Sequence, residues 1–186
     1  MGPQVMGRSM DLLSLLIYVA AGLWLMLPAY LPNSAAVIFG GGRPIDLGRS
    51  WRGRRLLGEG KTWRGFIGGV SAGTALGLLQ LYVAYPFDDS AYWGFGDLPD
   101  SMGLVFVLAL GSLLGDLCGA FIKRRLGLER GAKAPVLDQY NFIAGAMLLS
   151  LAIYPSWFIG AFVEGEHIIS LLSVLIITPL LHRGVN

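Results

Sequence analysis

The chain has 186 residues, 54% hydrophobic and only 14% charged, against roughly 25% charged in soluble domains. With a mean hydropathy of +0.61, this excludes an ordinary soluble globule and leaves room for one compact helical membrane domain, residues 1–186, with no separate soluble unit. Cys118 is the only cysteine, which excludes an internal disulfide and a cysteine metal cluster; a net charge of +2 gives no reason to expect a nucleic-acid partner.

A spanning helix needs about 20 mainly apolar residues. Five segments qualify in chain order: 10–31, 66–85, 103–122, 142–162 and 167–181. The first is too long for the core of a cleavable signal and lacks a basic flank immediately before it, so it is expected to span. Pro155 is expected to kink the fourth segment and Pro179 to end the fifth early. The fold class expected is therefore an all-α membrane protein with five transmembrane helices.

Charge orients those helices. The connection over 32–65 holds Arg43, Arg49, Arg52, Arg54, Arg55, Lys61 and Arg64 against Asp46 and Glu59. The next holds Asp88, Asp89, Asp97 and Asp100 with no Lys or Arg. Lys123, Arg124, Arg125, Arg130 and Lys133 follow the third segment, and Glu164 and Glu166 follow the fourth. Cations alternate by loop, so the N-terminus is expected outside and the C-terminus in the cytoplasm, with the long basic loops and the active site facing the cytoplasm of a multi-pass cell-membrane protein.

The stretch from Gly103 to Gln139 carries the chemistry. Asp116 is an ionisable residue inside an apolar helix, which is costly and marks a functional candidate. Ser112, Asp116, Gly119 and Lys123 are spaced by four, three and four residues, which puts them on one helix face. Lys123, Arg124 and Arg125 lie at the basic exit; such residues often anchor topology and touch anionic lipid, and their place below Asp116 adds phosphate binding. A second carboxylate, Asp138, precedes the fourth segment on the same side. Two carboxylates among cations suit Mg²⁺ held between protein and a polyphosphate. Oxygen ligands without a Cys/His cluster favour it over Zn²⁺. The other reading of Asp138 is a helix N-terminal residue.

A second block reads Gly58-Glu-Gly60-Lys61-Thr62-Trp63-Arg64-Gly65. It is not a Walker A loop, which needs a glycine where Arg55 stands. It still offers flexible glycines, a cation, a hydroxyl and a helix N-terminus for an anion; Thr62 can equally be a helix cap. The run from Arg43 to Arg55, with five arginines and Trp51, suits a membrane-surface segment on anionic lipid.

On these residues the chain resembles the CDP-archaeol synthase family, relatives of the phosphatidate cytidylyltransferases. Gly60-Lys-Thr-Trp-Arg-Gly-Phe-Ile-Gly-Gly69 is similar to that family's glycine-lysine-threonine-tryptophan block. Gly115-Asp116, Phe121-Ile-Lys-Arg-Arg125 and Ala134-Pro-Val-Leu-Asp-Gln139 are similar to the cytidylyltransferase signature. The short Lys133–Asp138 segment lacks the histidine-glycine-glycine element of the ester-lipid branch. The resemblance implies that CTP and the isoprenoid ether-lipid phosphate 2,3-di-O-geranylgeranylglyceryl 1-phosphate give CDP-archaeol and pyrophosphate. It also implies Mg²⁺ on Asp116 and Asp138. Lys61, Lys123, Arg124, Arg125 and Lys133 are then the expected phosphate ligands, with Lys61 and Lys123 acting in catalysis beside the two aspartates. Thr62, Ser112, Gln139 and Asn141 are expected to supply further hydrogen bonds. The rival reading is a small transporter with Asp116 as its intramembrane ion or proton site; the one-sided charge and the absence of an inverted repeat stand against it. The oligomeric state is open.

Overall fold

The computed structural model describes residues 11–84, 93–129 and 131–185, with side chains up to residue 180. Six α-helices carry the architecture: α1 (Leu12–Ile38), α2 (Trp63–Ala84), α3 (Asp100–Arg125), α4 (Pro135–Ile153), α5 (Pro155–Phe162) and α6 (Ile168–Val185). A two-residue hairpin, β1 (Ser50–Trp51) and β2 (Arg54–Arg55), interrupts the helical plan in the loop between α1 and α2. Four helices, α1 to α4, are long and apolar enough to cross a membrane, and the count is five if the bent α5–α6 pair forms one span.

Several boundaries differ from the sequence expectation. Helix α1 continues past Leu31 to Ile38 although Pro28 and Pro32 lie inside it. Proline lacks the N–H that would bond the carbonyl four residues back, so Pro28 frees the Trp24 carbonyl and Pro32 the Pro28 carbonyl. The first is supplied from another helix: Gln80 Nε2 of α2 donates to Trp24 O at 2.8 Å. Such repair by a neighbour is what lets proline persist in membrane helices. The second lies against Gly73 of α2, where a Cβ would stand only 2.6 Å from that oxygen.

The expected fourth span over 142–162 is two helices. Pro135 opens α4 in the first-turn position where its missing N–H costs nothing, so the helix starts seven residues early. It stops at Ile153, and Pro155 starts α5 afresh. What was expected as a kink is a full break. A 3-10 turn at Gly165–His167 then leads into α6, and the α5 and 165–180 segments are bent by 84°. Pro179 lies inside α6 and does not end it.

Small residues set the packing. Gly65, Gly69, Gly73 and Gly77 repeat every fourth residue on α2 and meet Ala36, Pro32 and Pro28 of α1 and Val105 of α3. Gly111 and Gly115 of α3 lie against Gly145 and Asn141 of α4. Close approach through glycine is the usual means of helix association in lipid, where burial of apolar surface gives no drive. These contacts also fix direction: α1, α3 and α6 run one way, α2 and α4 the other. The core between them holds Met26, Leu104, Val105, Leu108, Ile143 and Ala146. Ile67, Leu79, Tyr82, Leu172 and Ile176 point outward and exposed, as a hydrocarbon-facing surface requires.

Candidate active site

The helix directions bring the loop after α1, the end of α3 and the start of α4 to one end of the bundle. On α3 the polar stripe from Ser112 to Lys123 is about three turns long, but Asp116 and Lys123 do not pair with one another. Each takes its partner from a different element. Lys61, just before α2, places its Nζ on Asp116 Oδ2. Lys123 Nζ bonds Asp138 Oδ1 of α4 at 2.8 Å. Asp138 Oδ2 also accepts from the Ala134 N–H at 2.9 Å, so this carboxylate caps the start of α4 as well as holding a lysine. Both pairs are partly exposed, where ion pairs contribute little to stability. They leave the four charged groups open to a ligand.

Two cavities meet on these residues. The first, about 1030 Å³, runs from Leu23 and Leu27 in the bundle, past Tyr30, Asn33 and Phe142, to Lys61, Asp116 and Asp138. The second, about 770 Å³, is walled by charge: Arg54, Arg55, Lys123, Arg124 and Glu129 surround it, with Gly58 and Leu128 between them. Glu59, Gly60, Lys61, Asp116, Asp138 and Asn141 belong to both. An apolar chamber and a charged chamber therefore share one wall, and that wall carries three carboxylates and a lysine. Such a wall can bring the polar head of an apolar molecule against a polyanion.

The family model for CDP-archaeol synthases, described as CarS-like, matches residues 12–186. The chain belongs to the CDP-archaeol synthase family. Among its relatives, the CDP-archaeol synthase of Thermococcus gammatolerans is 48% identical over 165 residues, covering 88% of this chain and 86% of that one. The enzyme of the same name from Methanospirillum hungatei is 47% identical, covering 87% and 92%. A solved structure, described as an intramembrane enzyme for archaeal membrane lipids biosynthesis, superposes with a TM-score of 0.63 at 34% identity, over 95% of this chain and 96% of that one. None of these relatives is a transporter.

In this member of the CDP-archaeol synthase family the residues singled out from sequence divide into three groups. Lys61, Asp116, Lys123, Arg124, Asp138 and Asn141 line one or both cavities. Thr62 lines the apolar one, but its Oγ1 accepts from Gly65 N at 3.2 Å and caps α2. Ser112 is fully buried and donates to Ala29 O at 2.7 Å, tying α3 to α1. Arg125 turns to the hairpin: its guanidinium donates to the carbonyls of Trp51, Arg54 and Arg55 and lies over the Trp51 ring. Gln139 is buried outside both cavity walls, and Lys133 is exposed away from them.

The basic run 43–55, read from sequence as a lipid-surface segment, is split in the same way. Arg49 and Arg52 are exposed, whereas Arg54 and Arg55 reach the charged cavity. Sequence reasoning passed over Glu59, which lines both cavities, and Asp46, which lines neither. Asp46 is 5% exposed. The Arg55 guanidinium, with three backbone N–H donors and against the opposing effect of burial, holds its carboxyl well below the usual carboxylate range. A lone acid inside a run of arginines was the available signal.

Proposed function

We propose that the chain transfers CMP from CTP to 2,3-di-O-geranylgeranylglyceryl 1-phosphate, releasing pyrophosphate and forming CDP-archaeol. The observation that carries this reading is the shared wall: an apolar cavity suited to isoprenoid chains and a charged cavity suited to a nucleoside triphosphate, joined at Lys61, Asp116, Asp138 and Asn141. A lipid phosphate oxygen forms the new bond to the α-phosphorus, and the bond from that phosphorus to the pyrophosphate oxygen breaks. The attacking phosphate is already anionic at neutral pH, so no protein base is required. The barrier lies in bringing two anions together and in charge on the leaving group, which positioning and cations lower. Lys61 supplies mobile positive charge at the wall, and Lys123, in the charged chamber and paired with Asp138, supplies it beside the wall. Arg124, whose guanidinium also donates to Leu128 O, supplies fixed charge in the nucleotide chamber.

The donor set fits Mg²⁺. Asp116 and Asp138 offer all-oxygen ligands on both chambers. Among the described residues no cluster of three or more His, Cys, Asp or Glu forms a complete metal cage. A small divalent ion that keeps several waters and takes phosphate oxygens needs only one or two carboxylates. Bound there, it would neutralise phosphate charge, and Lys61 and Lys123 would be released from the carboxylates to the substrates.

The single domain sits in the cell membrane with its active site toward the cytoplasm. Support comes from Arg54 and Arg125, which meet at the same end, while Glu166 lies at the opposite end on Tyr18. In a Cys118→Ala background, cysteines placed at Asp97 and Glu129 should label from opposite faces of sealed vesicles; labelling from one face removes this orientation. The activity itself is tested with purified protein, labelled CTP, Mg²⁺ and the lipid phosphate. Pyrophosphate and a CDP-lipid should appear together, EDTA should stop the reaction and Mg²⁺ restore it. Release of CMP in place of pyrophosphate would refute the reading.

A further inference from the structure

We infer that Asp46 is a positioning residue for the transfer reaction, a clasp that presents Lys61 to the wall between the two cavities. This rests on the function proposed above. Asp46 touches neither chamber. Its carboxylate is nevertheless the most heavily bonded one among the described residues outside the cavity wall. Oδ1 accepts from Arg55 Nη2 at 2.7 Å and from Gly48 N at 3.1 Å. Oδ2 accepts from Arg55 Nε at 3.2 Å, Leu57 N at 3.1 Å and Gly58 N at 3.0 Å.

These donors are not scattered. Leu57 and Gly58 open the segment that ends in Lys61, and the turn closes with Lys61 N donating to Gly58 O at 3.3 Å. From the other side, Ile45 N donates to Lys61 O at 2.8 Å and Trp63 N to Arg43 O at 3.1 Å. The backbone of Lys61 is thus gripped by the residue before Asp46 and by the turn that Asp46 holds. The chain bends sharply to allow it. Leu47, a branched residue, sits at φ 51° and Gly48 at φ 80°. A non-glycine residue in that region persists only where its surroundings over-determine it. Arg55 completes the link, since it pairs with Asp46 on one side and with Glu59 at 3.5 Å on the other, and both Arg55 and Glu59 line the charged chamber.

A lysine on a flexible stem delivers charge to a defined point only if its backbone is fixed. Asparagine at position 46 would keep the size but turn an amide NH₂ toward either Arg55 or the backbone donors, so the turn would loosen while the helices stay in place.

The test uses full-length protein in lipid nanodiscs, with CTP, Mg²⁺ and the lipid phosphate. Asp46→Asn is made in the wild-type chain and in Lys61→Ala. Expected is a loss in kcat/KM for CTP of about 10–100-fold in the first background, the usual cost of removing a supporting residue, and under about 3-fold in the second, because residues acting as a unit are non-additive. Equal losses in both backgrounds, or no loss, overturn the proposal. Hydrogen exchange over residues 56–61 gives a readout without catalysis: it should quicken in Asp46→Asn while exchange in α3 and α4 is unchanged. If wild-type protein does not turn over CTP, the function is wrong, and unchanged exchange at 56–61 would separately refute the clasp. Should Asp46→Asn fail to fold, Arg55→Gln, which leaves the backbone donations intact, goes through the same cycle: a loss confined to the wild-type background supports the clasp, and equal losses or none overturn it.

Discussion

Asp46 and Asp116 lie at the same end of the bundle and differ in how they are satisfied. Asp46 is buried and accepts hydrogen bonds from Arg55, Gly48, Leu57 and Gly58. Asp116 is part-exposed, faces both cavities and is held by the one flexible cation Lys61. A carboxylate with a full set of fixed donors has no lone pair to offer a ligand and acts on the architecture. A carboxylate on one mobile lysine can exchange that lysine for a metal ion or yield it to a phosphate. The contrast separates a residue that builds the site from those proposed to act in it. Asp138 stands between the two kinds, with one oxygen on Lys123 and the other on the α4 backbone.

The sharpest test removes charge from the acting pair. Asp116→Asn and Asp138→Asn should each insert normally and lose about 10²–10³-fold or more in kcat, the range seen when one preorganised electrostatic group is removed. The double variant should be little worse than either single one, since both serve one centre. Stability should divide them: Asp138→Ala should also cost about 1 kcal/mol for the lost cap, measured as a lower unfolding midpoint, and Asp116→Ala should not. If Asp116→Asn keeps near-normal rates at limiting Mg²⁺, the distinction between the two carboxylates collapses.

Next come the cations. Lys61→Ala and Lys123→Ala should lower kcat/KM for CTP by roughly 10–1,000-fold, or about 1.4–4 kcal/mol. Arg125→Ala should change it far less. Arg125 spends its donors on the carbonyls of Trp51, Arg54 and Arg55, so its loss should free the hairpin and speed tryptic cleavage at Arg52 and Arg54. Equal kinetic losses at Lys61, Lys123 and Arg125 would mean that general basicity matters and not placement.

These cases show which parts of the molecule were legible in the sequence. The apolar runs gave the helices and the charged blocks gave the site's end, because both depend on composition over many residues. Asp116 stood out because its cost in an apolar helix is local. Arg125 did not separate from Lys123, since neighbouring helical residues look alike in sequence while pointing in different directions around the axis. The extension of α1 past Pro32 was hidden for a different reason: the carbonyl that Pro32 frees, Pro28 O, is met by Gly73 of another helix, far along the chain. Asp46 was hidden in the same way, because its meaning lies in a loop that folds back from Arg43 to Trp63.

The smallest expected effect sets the boundary of the site. Ser112 lies one helical turn before Asp116 on the same stripe, and by spacing alone the two are equivalent. Its hydroxyl is fully buried, donates to Ala29 O at 2.7 Å and accepts from Asn33 Nδ2 at 3.4 Å. Ala29 O is a carbonyl of the proline-interrupted part of α1, so the bond joins two helices. Ser112→Ala leaves no large void and no buried charge. The cost should be that of one hydrogen bond, about 0.5–1.5 kcal/mol, with kcat/KM for CTP changed by no more than about 2-fold. Asn33 lines the apolar chamber, so a modest rise in KM for the lipid phosphate is compatible with a shifted Asn33 amide. A loss above tenfold in kcat for CTP is not: it would place the Ser112 hydroxyl among the groups that meet the reacting phosphates, and the acting part of the stripe would then begin one turn deeper in the membrane than Asp116.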